Sequence, residues 1–322
     1  MNLAHAPKEL AVGPRKICLA IGMFDGVHLG HQQVIRQTIT DAEQQEALSV
    51  VLTFDRHPNT VVAPDRVPPL IYSLPQRLRA IEQLGVEAIL LIHFDKPFSE
   101  LPGETFVRGL VKDFGRIASV CVGSTFTFGH KRSGTVDLLK RLGKELNFQV
   151  HGLAAVSLDG QAVSSTRIRE AIRRGQLDAA SQMLGREYAL AGTVMRGDRI
   201  GQQLGFPTAN LDIAGLVLPP GGVYAVHAYV LKQRHRAVLN IGHRPTLKTP
   251  TPELRVEAHL LDFTGDLYDQ ELEITFIAKL REERKFDSLA DLRQQIEHDI
   301  HEAQKYFDGQ PGFACSDISG AS

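Results

Sequence analysis

The sequence has no apolar run long enough to span a bilayer, and it does not begin with a basic stretch followed by an apolar block. We therefore expect neither a membrane span nor a secretory signal. It also lacks a charge excess, because 36 Lys and Arg stand against 37 Asp and Glu, which argues against a nucleic-acid partner. Cysteine is scarce: Cys18, Cys121 and Cys315 are isolated and have no metal-ligand spacing. A cytoplasmic location fits this usage of cysteine.

Apolar strands alternate with helices through the first half of the chain. Strand-like runs lie at 16–22, 48–54, 87–94, 117–123 and 148–156, and helical patterns lie between them at 31–46, 74–84, 102–114 and 134–147. Continuous apolar strands separated by helices predict an α/β domain with a parallel sheet and helices on both faces. Ligands of such sheets bind beyond the carboxyl ends of the strands.

The pattern changes after a helical stretch around 166–184. Short β-rich runs broken by Gly and Pro follow from 189 to 278, with no helix among them, and predict a barrel or sandwich. A closing helix is predicted at about 289–306, with one apolar face formed by Leu289, Leu292, Ile296 and Ile300.

A chain of 322 residues with 43% hydrophobic residues is long enough for two ordinary globular cores. We expect two domains, 1–187 and 188–307, followed by a frayed tail at 308–322.

The turn from Gly22 to His31 joins the first predicted strand to a helix that begins near Leu29. His28 and His31 are three positions apart, so both fall on one face of the first helical turn. Unpaired backbone N–H groups and the positive end of the helix dipole lie beside them. Glycines in the turn let a ligand approach the backbone closely. The turn therefore predicts a binding site for the phosphates of a nucleotide triphosphate.

Three further polar segments follow other strands, at 53–58, 123–134 and 164–169. All three are expected at the same edge of a parallel sheet as the histidine turn. The hydroxyls and helix N-terminus at Ser164–Thr166 predict a second anion-binding site, to which Arg169 adds a fixed positive charge.

These segments read G-x-F-D-G-V-H-x-G-H, T-F-x-x-H-P, F-x-F-G-x-x-R-x-G and S-S-T-x-I-R, in that order. They resemble the adenylyltransferase half of the bacterial bifunctional riboflavin kinase/FAD synthetases. The resemblance implies a Rossmann-like nucleotidyltransferase domain in which FMN attacks the α-phosphate of ATP, giving FAD and pyrophosphate. It implies no covalent intermediate, so catalysis would consist of alignment and stabilisation of charge on the phosphate oxygens, assisted by Mg²⁺.

The resemblance also implies roles for individual residues. His28 and His31 would be the catalytic residues, acting on the ATP phosphates. The ATP-binding and phosphate-binding positions would be Gly22, Phe24, Asp25, Gly26, Gly30, Ser164, Ser165, Thr166 and Arg169, and the flavin-binding positions would be Thr125, Phe126, Phe128 and His57. Taken alone, His57 also fits a strand-end histidine, and Phe126 and Phe128 also fit ordinary packing positions.

Two positions depart from the family pattern in this half. Thr125 stands where the family usually has Asp or Asn, and Arg56 replaces the Pro that normally precedes the His-Pro pair. A threonine lacks the charge of a carboxylate and the reach of an amide. An adenylyltransferase half weakened at these positions is therefore an alternative.

A second cluster begins in a glycine-rich loop, which can fold over phosphates with its N–H groups pointing inward. Its glycines are Gly197, Gly201 and Gly205. Pro207 fixes the backbone before Thr208, whose hydroxyl is placed to meet a metal ion or a phosphate. Asn210, two residues on, would share the strand face of Thr208.

The segments G-F-P-T-A-N, G-V-Y-A-V and N-I-G-x-x-P-T resemble the riboflavin kinase domain of the same enzymes. The resemblance implies a β-barrel domain that phosphorylates the ribityl 5′-hydroxyl of riboflavin with ATP. Thr208 and Asn210 would organise Mg²⁺ and the ATP phosphates, and Glu257 would accept the hydroxyl proton. Taken alone, Glu257 also fits a solvated strand carboxylate.

This half departs from the family pattern as well. Gln202 replaces an Arg that usually lies near the phosphate loop, and Asp269 replaces a turn Gly. The basic residues Arg281, Arg284 and Lys285 are expected to be solvated.

The sequence thus predicts one chain that converts riboflavin to FMN and FMN to FAD, with ATP as substrate, Mg²⁺ as cofactor and no nucleic-acid or membrane partner. We expect a monomer or a weak homo-oligomer. Two alternatives remain: an active kinase with a weakened adenylyltransferase half, and a non-catalytic flavin-binding or nucleotide-binding regulatory protein.

Overall fold

The computed structural model describes residues 2–10, 13–197, 200–231, 233–244 and 253–308. Contacts divide the chain into two compact units. The first is Met1–Glu187 with Gly215–Val217, and the second is Tyr188–Ala214 with Leu218–Ser322. The predicted tail beyond Asp308 lies outside the described residues.

The described strands of the first unit are β1 (Asn2–Ala4), β2 (Ile17–Ile21), β3 (Leu48–Phe54), β4 (Ala88–Ile92), β5 (Ile117–Gly123), β6 (Thr127–Phe128), β7 (Gly134–Thr135), β8 (Gln149–Leu153), β9 (Ser157–Leu158) and β10 (Gln161–Ala162). Among them, six form one sheet in the order β1-β4-β3-β2-β5-β8. Every neighbouring pair in this sheet is parallel, as predicted. The short strands β6 with β7, and β9 with β10, form separate antiparallel pairs.

The described helices of the first unit are α1 (Leu29–Gln44), α2 (Asn59–Val62), α3 (Leu74–Glu82), α4 (Lys96–Ser99), α5 (Gly103–Phe114), α6 (Val136–Leu146), α7 (Ser165–Arg173) and α8 (Leu177–Leu184). The long helices lie where the apolar periodicity predicts them. The single helical stretch predicted around 166–184 is wrong in one respect, because Gly175 adopts a φ of 72° and separates α7 from α8.

Helices cover both faces of the parallel sheet. Alternate residues of β2 point to opposite faces. Ile17, Leu19 and Ile21 belong to a core that also contains apolar residues of α5 and α6. Cys18 points the other way and packs with Ala42 of α1. Both faces of the strand are therefore buried, which explains why its sequence is continuously apolar.

The second unit is a closed antiparallel barrel. Its described strands are β11 (Ala189–Met195), β12 (Ala209–Leu211), β13 (Gly222–Val230), β14 (Gln233–Arg244), β15 (Glu253–Leu260) and β16 (Glu271–Arg281), arranged around the barrel as β11-β12-β15-β14-β13-β16. Its described helices are α9 (Ile200–Leu204) and α10 (Leu289–Asp308). The expectation of no helix in this region is wrong for the single turn α9, which is too short to show apolar periodicity.

The barrel wall has two different buried faces. Tyr224, Val226 and Leu239 are buried and alternate with residues of the opposite face, so they fill the interior. On the outer face, Ala225 packs with Ala303 and Phe307 of α10. The closing helix is therefore present and lies against the outside of the barrel. Leu289 is a correction to the predicted apolar face, because it begins the helix and is 65% exposed.

Candidate active sites

The histidine turn of the first unit has an unusual backbone. Phe24, Gly26 and Val27 have φ values of 52°, 77° and 43°. These lie in the left-handed region that a β-branched residue such as Val27 avoids. At Gly26 a Cβ would come within 2.9 Å of the Ile71 side chain, so this position requires glycine for space as well as conformation.

His28 is the N-cap of α1. Its Nδ1 accepts a hydrogen bond from the backbone N–H of His31 over 3.4 Å. Because Nδ1 is the acceptor, the neutral ring carries its proton on Nε2, which is then a donor. The rings of His28 and His31 are stacked, with their centroids 3.6 Å apart. The structure therefore brings the two predicted catalytic residues together.

Both imidazoles are neutral at pH 7. Burial, together with the nearby guanidinium groups of Arg186 and Arg169, lowers the pKa of His28 to about 4. Burial also holds the pKa of His31 well below its ordinary value, and the neighbouring His28 and Arg77 act in the same direction. The pair can therefore donate and accept hydrogen bonds without adding charge to the turn.

Asp25 and Arg169 bind each other rather than facing open space. The Asp25 carboxylate is 3% exposed and accepts from Arg169 Nη2 over 2.7 Å. It also accepts from the backbone N–H groups of Ile71 and Tyr72. Arg169 Nε donates to the carbonyl of Pro69 over 2.7 Å. These groups are occupied in stabilising the turn, so a direct contact of Asp25 or Arg169 with the triphosphate stays a prediction.

The N-terminus of α7 lies against the same turn. Ser164 caps the helix by accepting from the Arg167 N–H. The Ser165 hydroxyl donates to the backbone carbonyl of Asp25 over 3.1 Å. Thr166 is exposed. The predicted second anion-binding site is therefore hydrogen-bonded to the histidine turn. Its contact with phosphate stays a prediction.

The segment after β3 also reaches the turn. The Thr53 hydroxyl donates to the carbonyl of Met23 over 3.1 Å. His57 is half-buried, and its Nδ1 accepts from the Asn59 N–H over 3.1 Å. Burial lowers the pKa of His57 as well. Arg56, the departure from the family pattern, pairs at the surface with Asp55.

The predicted flavin-binding aromatics pack on each other. Phe126 and Phe128 are stacked with centroids 5.3 Å apart, and both are half-buried against the main core of the unit. Phe128 also lies over Gly134, where a Cβ would come within 2.6 Å of its ring. Thr125 is exposed. The structure thus supports a packing role for this pair, and its contact with a flavin stays a prediction.

Sequence reasoning missed two arginines that hold this turn. Arg77, on α3, is 1% exposed and donates to the carbonyls of Met23 and Phe54. Burial lowers its pKa to about 10. Arg186 donates to the carbonyls of Gly26 and Val27. No local pattern identifies either residue, because an arginine on an amphipathic helix or beside a glycine is ordinarily solvated.

In the barrel, three polar residues lie in one row across neighbouring strands. Asn210 of β12 is directly opposite Glu257 of β15, and Glu257 is directly opposite Asn240 of β14. Directly opposed residues point to the same face of a sheet. Asn240 was not singled out by the sequence, because strand register decides which residues face each other.

This row opens into a cleft between the outer face of the barrel and α10. The cleft has a volume of about 330 Å³. Its polar lining includes Thr208, Asn210, Asn240, Glu257 and Arg281, and its apolar lining includes Phe206, Val223, Val238, Phe286, Leu292 and Ile296. The predicted catalytic Glu257 and the predicted metal ligands Thr208 and Asn210 are thus brought together.

A second cavity lies beside the first and shares Thr208 with it. Its volume is about 360 Å³, and its lining includes Gln202, Pro207, Phe263 and Tyr268. Thr208 therefore forms part of the wall between two spaces, each large enough for part of a small-molecule substrate.

The glycine-rich loop closes over the same residues. A Cβ on Gly201 would come within 3.2 Å of Thr208 Oγ1, and one on Gly197 would clash with the Asn210 amide. The loop backbone therefore approaches both side chains closely. Gly205 follows α9 with a φ of 93°. Asp198 and Arg199 of this loop, and Pro245 and Thr246 of the N-I-G-x-x-P-T motif, lie outside the described residues.

The donor set here fits Mg²⁺ bound mainly through a nucleotide. Thr208 and Asn210 offer one hydroxyl and one amide oxygen, and hard cations prefer oxygen ligands. The described part of the chain holds no group of three His, Cys, Asp or Glu side chains placed to bind a metal. Mg²⁺ is commonly held by one or two protein oxygens together with substrate phosphates and water.

One expectation about this cleft is wrong. Arg281 is not solvated but donates through Nε and Nη2 to the carboxylate of Asp299, which is 4% exposed. The guanidinium of Arg284 lies 4.8 Å from the centroid of the Phe286 ring. The ion pair connects the end of β16 to α10, and so it fixes the distance between the two elements at one end of the cleft.

Two family models match different parts of the chain. Residues 12–167 match the family model described as FAD synthetase, and residues 184–307 match the one described as riboflavin kinase. A bifunctional riboflavin kinase/FMN adenylyltransferase of Escherichia coli (strain K12) is 34% identical over 95% of this chain and 96% of its own length. One from Bacillus subtilis (strain 168) is 35% identical over 95% and 98%.

A crystal structure described as a macrolide-efflux protein from Streptococcus pneumoniae superposes with a TM-score of 0.76 and 28% identity, covering 94% of this chain and 98% of that one. Within the described residues, no helix combines the length and apolarity that crossing a membrane requires.

The two folds and these matches define an enzyme with two transferase domains, one a kinase and one a nucleotidyltransferase. The chain belongs to the family of bifunctional riboflavin kinase/FMN adenylyltransferases. Members of this family use ATP, typically with Mg²⁺.

Proposed function

We propose that this chain phosphorylates riboflavin to FMN in its barrel domain and adenylylates FMN to FAD in its N-terminal domain. One observation carries the proposal: each unit contains its own cluster of phosphate-binding and catalytic candidates, and each is matched by its own family model. The domains are assigned to 1–187 and 188–307. We assign the enzyme to the cytoplasm, with small molecules as its substrates.

In the barrel domain, the apolar part of the outer cleft suits the flat flavin ring, and the row of Asn210, Glu257 and Asn240 suits the hydroxylated ribityl chain. Glu257 accepts the proton of the 5′-hydroxyl as that oxygen attacks the γ-phosphate. A positioned carboxylate base contributes about 10²–10⁴-fold to such a step.

The cavity beside this cleft receives the nucleotide. Thr208 lines both spaces, and this supports a role for its hydroxyl where the γ-phosphate passes from donor to acceptor. The close backbone approach of Gly197 and Gly201 lets the loop N–H groups reach the phosphates. When bound, Mg²⁺ neutralises charge on the phosphate oxygens and lowers the barrier to phosphoryl transfer. Thr208 and Asn210 would hold it.

In the N-terminal domain, the neutral His28 and His31 donate hydrogen bonds to the ATP phosphates beside the N-terminus of α1. The FMN phosphate displaces pyrophosphate from the α-phosphorus in line. The protein residues contribute alignment and hydrogen-bond donors aimed at the charge that develops on the phosphate oxygens.

A product assay tests the proposal. The purified chain is incubated with riboflavin, ATP and Mg²⁺, and the flavins are separated by chromatography at successive times. FMN should rise first and FAD should follow. Accumulation of FMN without FAD would show an active kinase with a weakened N-terminal domain. Bound but unchanged riboflavin would show a non-catalytic flavin-binding protein.

A further inference from the structure

The histidine turn is held in a conformation that its own sequence does not favour. Val27 is β-branched and has a φ of 43°, and Phe24 has a φ of 52°. Residues held in such regions are strained and persist only where the surrounding structure enforces the conformation. Side chains outside the turn therefore enforce its conformation.

All three guanidinium nitrogens of Arg186 donate hydrogen bonds, two of them to carbonyls of the turn and one to Tyr72. Nη2 donates to the Gly26 carbonyl over 2.5 Å, and Nη1 donates to the Val27 carbonyl over 3.1 Å. Nε donates to the Tyr72 hydroxyl over 3.1 Å, and the guanidinium lies 5.1 Å from the centroid of the Tyr72 ring. Only the rigid fork of an arginine can reach these acceptors together.

A second side chain supports the same carbonyl. Gln32 Nε2 donates to the Val27 carbonyl over 3.0 Å and to the Leu184 carbonyl over 2.7 Å. Arg186 Nη1 also donates to the Leu184 carbonyl over 3.2 Å. The carbonyls of Val27 and Leu184 are thus each held twice.

Holding the Val27 carbonyl has a consequence for His28. The C=O and N–H of a trans peptide point in opposite directions. Fixing the Val27 carbonyl toward Arg186 therefore fixes the His28 N–H on the opposite side, together with the Cα that carries the imidazole. The charge of Arg186 also helps to hold both imidazoles neutral.

We propose that Arg186 is a positioning residue for adenylyl transfer, which holds the Gly26 and Val27 carbonyls so that His28 and His31 face the ATP phosphates. The inference rests on the proposed function of the N-terminal domain. Arg186 acts through the backbone of the turn.

The test compares Arg186→Gln and Arg186→Lys with the parent enzyme. In Arg186→Gln, kcat for FAD formation from FMN should fall about 100-fold, the loss expected for a misplaced reactive group. The KM for ATP should change much less. Arg186→Lys should lose nearly as much, because one ammonium cannot hold three acceptors in a fixed fork. Tyr72→Phe removes one acceptor and should cost only a few-fold.

Two readouts separate positioning from general damage. Riboflavin phosphorylation, measured in the same samples, should not change. NMR titration of the imidazole protons should show the His28 pKa rising in Arg186→Gln and staying near the parent value in Arg186→Lys. Arg173→Gln is the matched control, because Arg173 is exposed on α7 of the same unit, and it should behave as the parent in both readouts.

An unchanged kcat in Arg186→Gln, or full activity in Arg186→Lys, would overturn the inference. Equal losses in Arg186→Gln and Arg173→Gln would do the same. If Arg186→Gln does not fold, the kcat values of Arg186→Lys and Tyr72→Phe decide the matter. Absence of FAD formation by the parent enzyme would refute the proposed function instead. In that case the imidazole titrations would still show whether Arg186 sets the environment of the turn.

Discussion

The two candidate sites are built in opposite ways. In the N-terminal unit, the histidine turn is held by side chains from distant segments, including Arg77, Arg169 and Arg186, whose donors are occupied by backbone carbonyls and by Asp25. In the barrel, the polar row of Asn210, Glu257 and Asn240 follows from strand register alone. One site depends on many long-range contacts, and the other on the pairing of neighbouring strands.

The two sites are therefore sensitive to different kinds of substitution. Loss of one partner of a buried ion pair costs about 3–5 kcal/mol, because the remaining charge stays buried. The pair of Asp25 and Arg169 exposes the first site to such losses. A side chain of the barrel row can be changed while the strand pairing that positions it remains. Variants should therefore separate activity from stability more cleanly in the barrel.

The largest effect is expected for Glu257→Ala. FMN formation should fall by about 10²–10⁴-fold, because the base that accepts the hydroxyl proton is removed. Conversion of supplied FMN to FAD should remain at the parent rate. Chromatographic rates for both steps provide the measurement, and Glu297→Gln, at an exposed position of α10, is the control. Equal loss of both steps would contradict separate sites.

His31→Ala should produce the reverse pattern. Adenylylation of FMN should fall by about 10²–10³-fold, the cost of removing one donor aimed at developing charge. Riboflavin phosphorylation should continue. The same two rates are measured, with His5→Ala as control because His5 is exposed in the same unit. If FAD formation survived in His31→Ala, the histidine pair would not be catalytic.

Low pH should destabilise the N-terminal unit, because His28 binds a proton when the chain unfolds. Burial holds the His28 pKa at about 4 when folded, whereas the unfolded chain binds the proton near pH 6.5. Between these values the unfolded state carries more protons, so the free energy of unfolding falls as pH falls. The decrease in the free energy of unfolding approaches roughly 3 kcal/mol, because each unit of difference between the folded and unfolded pKa contributes about 1.4 kcal/mol. Urea unfolding followed by circular dichroism at several pH values measures it.

His28→Asn is the control for this pH dependence. Asparagine keeps an N-cap acceptor but does not titrate in this range. Its unfolding free energy should therefore depend less on pH between 4 and 6.5 than that of the parent. Identical pH profiles for the variant and the parent would rule out His28 as the source.

The smallest effect is expected for Thr125→Asp, which restores a residue usual in the family. Because Thr125 is exposed, the change should leave folding unaffected and alter FAD formation by only a few-fold. Thr127→Asp, at an exposed position of β6 two residues further on, is the matched control. An increase of 100-fold at position 125 alone would show that the parent domain is weakened there, and would sharpen the contrast between the two units.

The strand-end segments of the first site could be predicted, because the topology of a parallel sheet brings them to one edge. Thr53 and Ser165 indeed bond to the turn at Met23 and Asp25. The pairing of Asp25 with Arg169 could not be predicted, because 144 positions separate them and either charge alone suits a ligand. Arg77 and Arg186 gave no signal, since their burial depends entirely on tertiary packing.

In the barrel, the glycine-rich loop and Pro207–Asn210 could be identified by residue type. Asn240 could not, because its place beside Glu257 depends on the register between β14 and β15. The short helix α9 and the three-residue strand β1 were missed because neither is long enough to show a period.

The outward position of the barrel cleft has a consequence for how this domain can change. The side chains that fill the barrel interior, such as Val226 and Leu239, point away from those that line the cleft, such as Val238 and Asn240. Selection for a new acceptor could thus rebuild the lining without touching the scaffold. This half of the molecule is accordingly the more evolvable, and the better starting point for engineering kinases of flavin analogues.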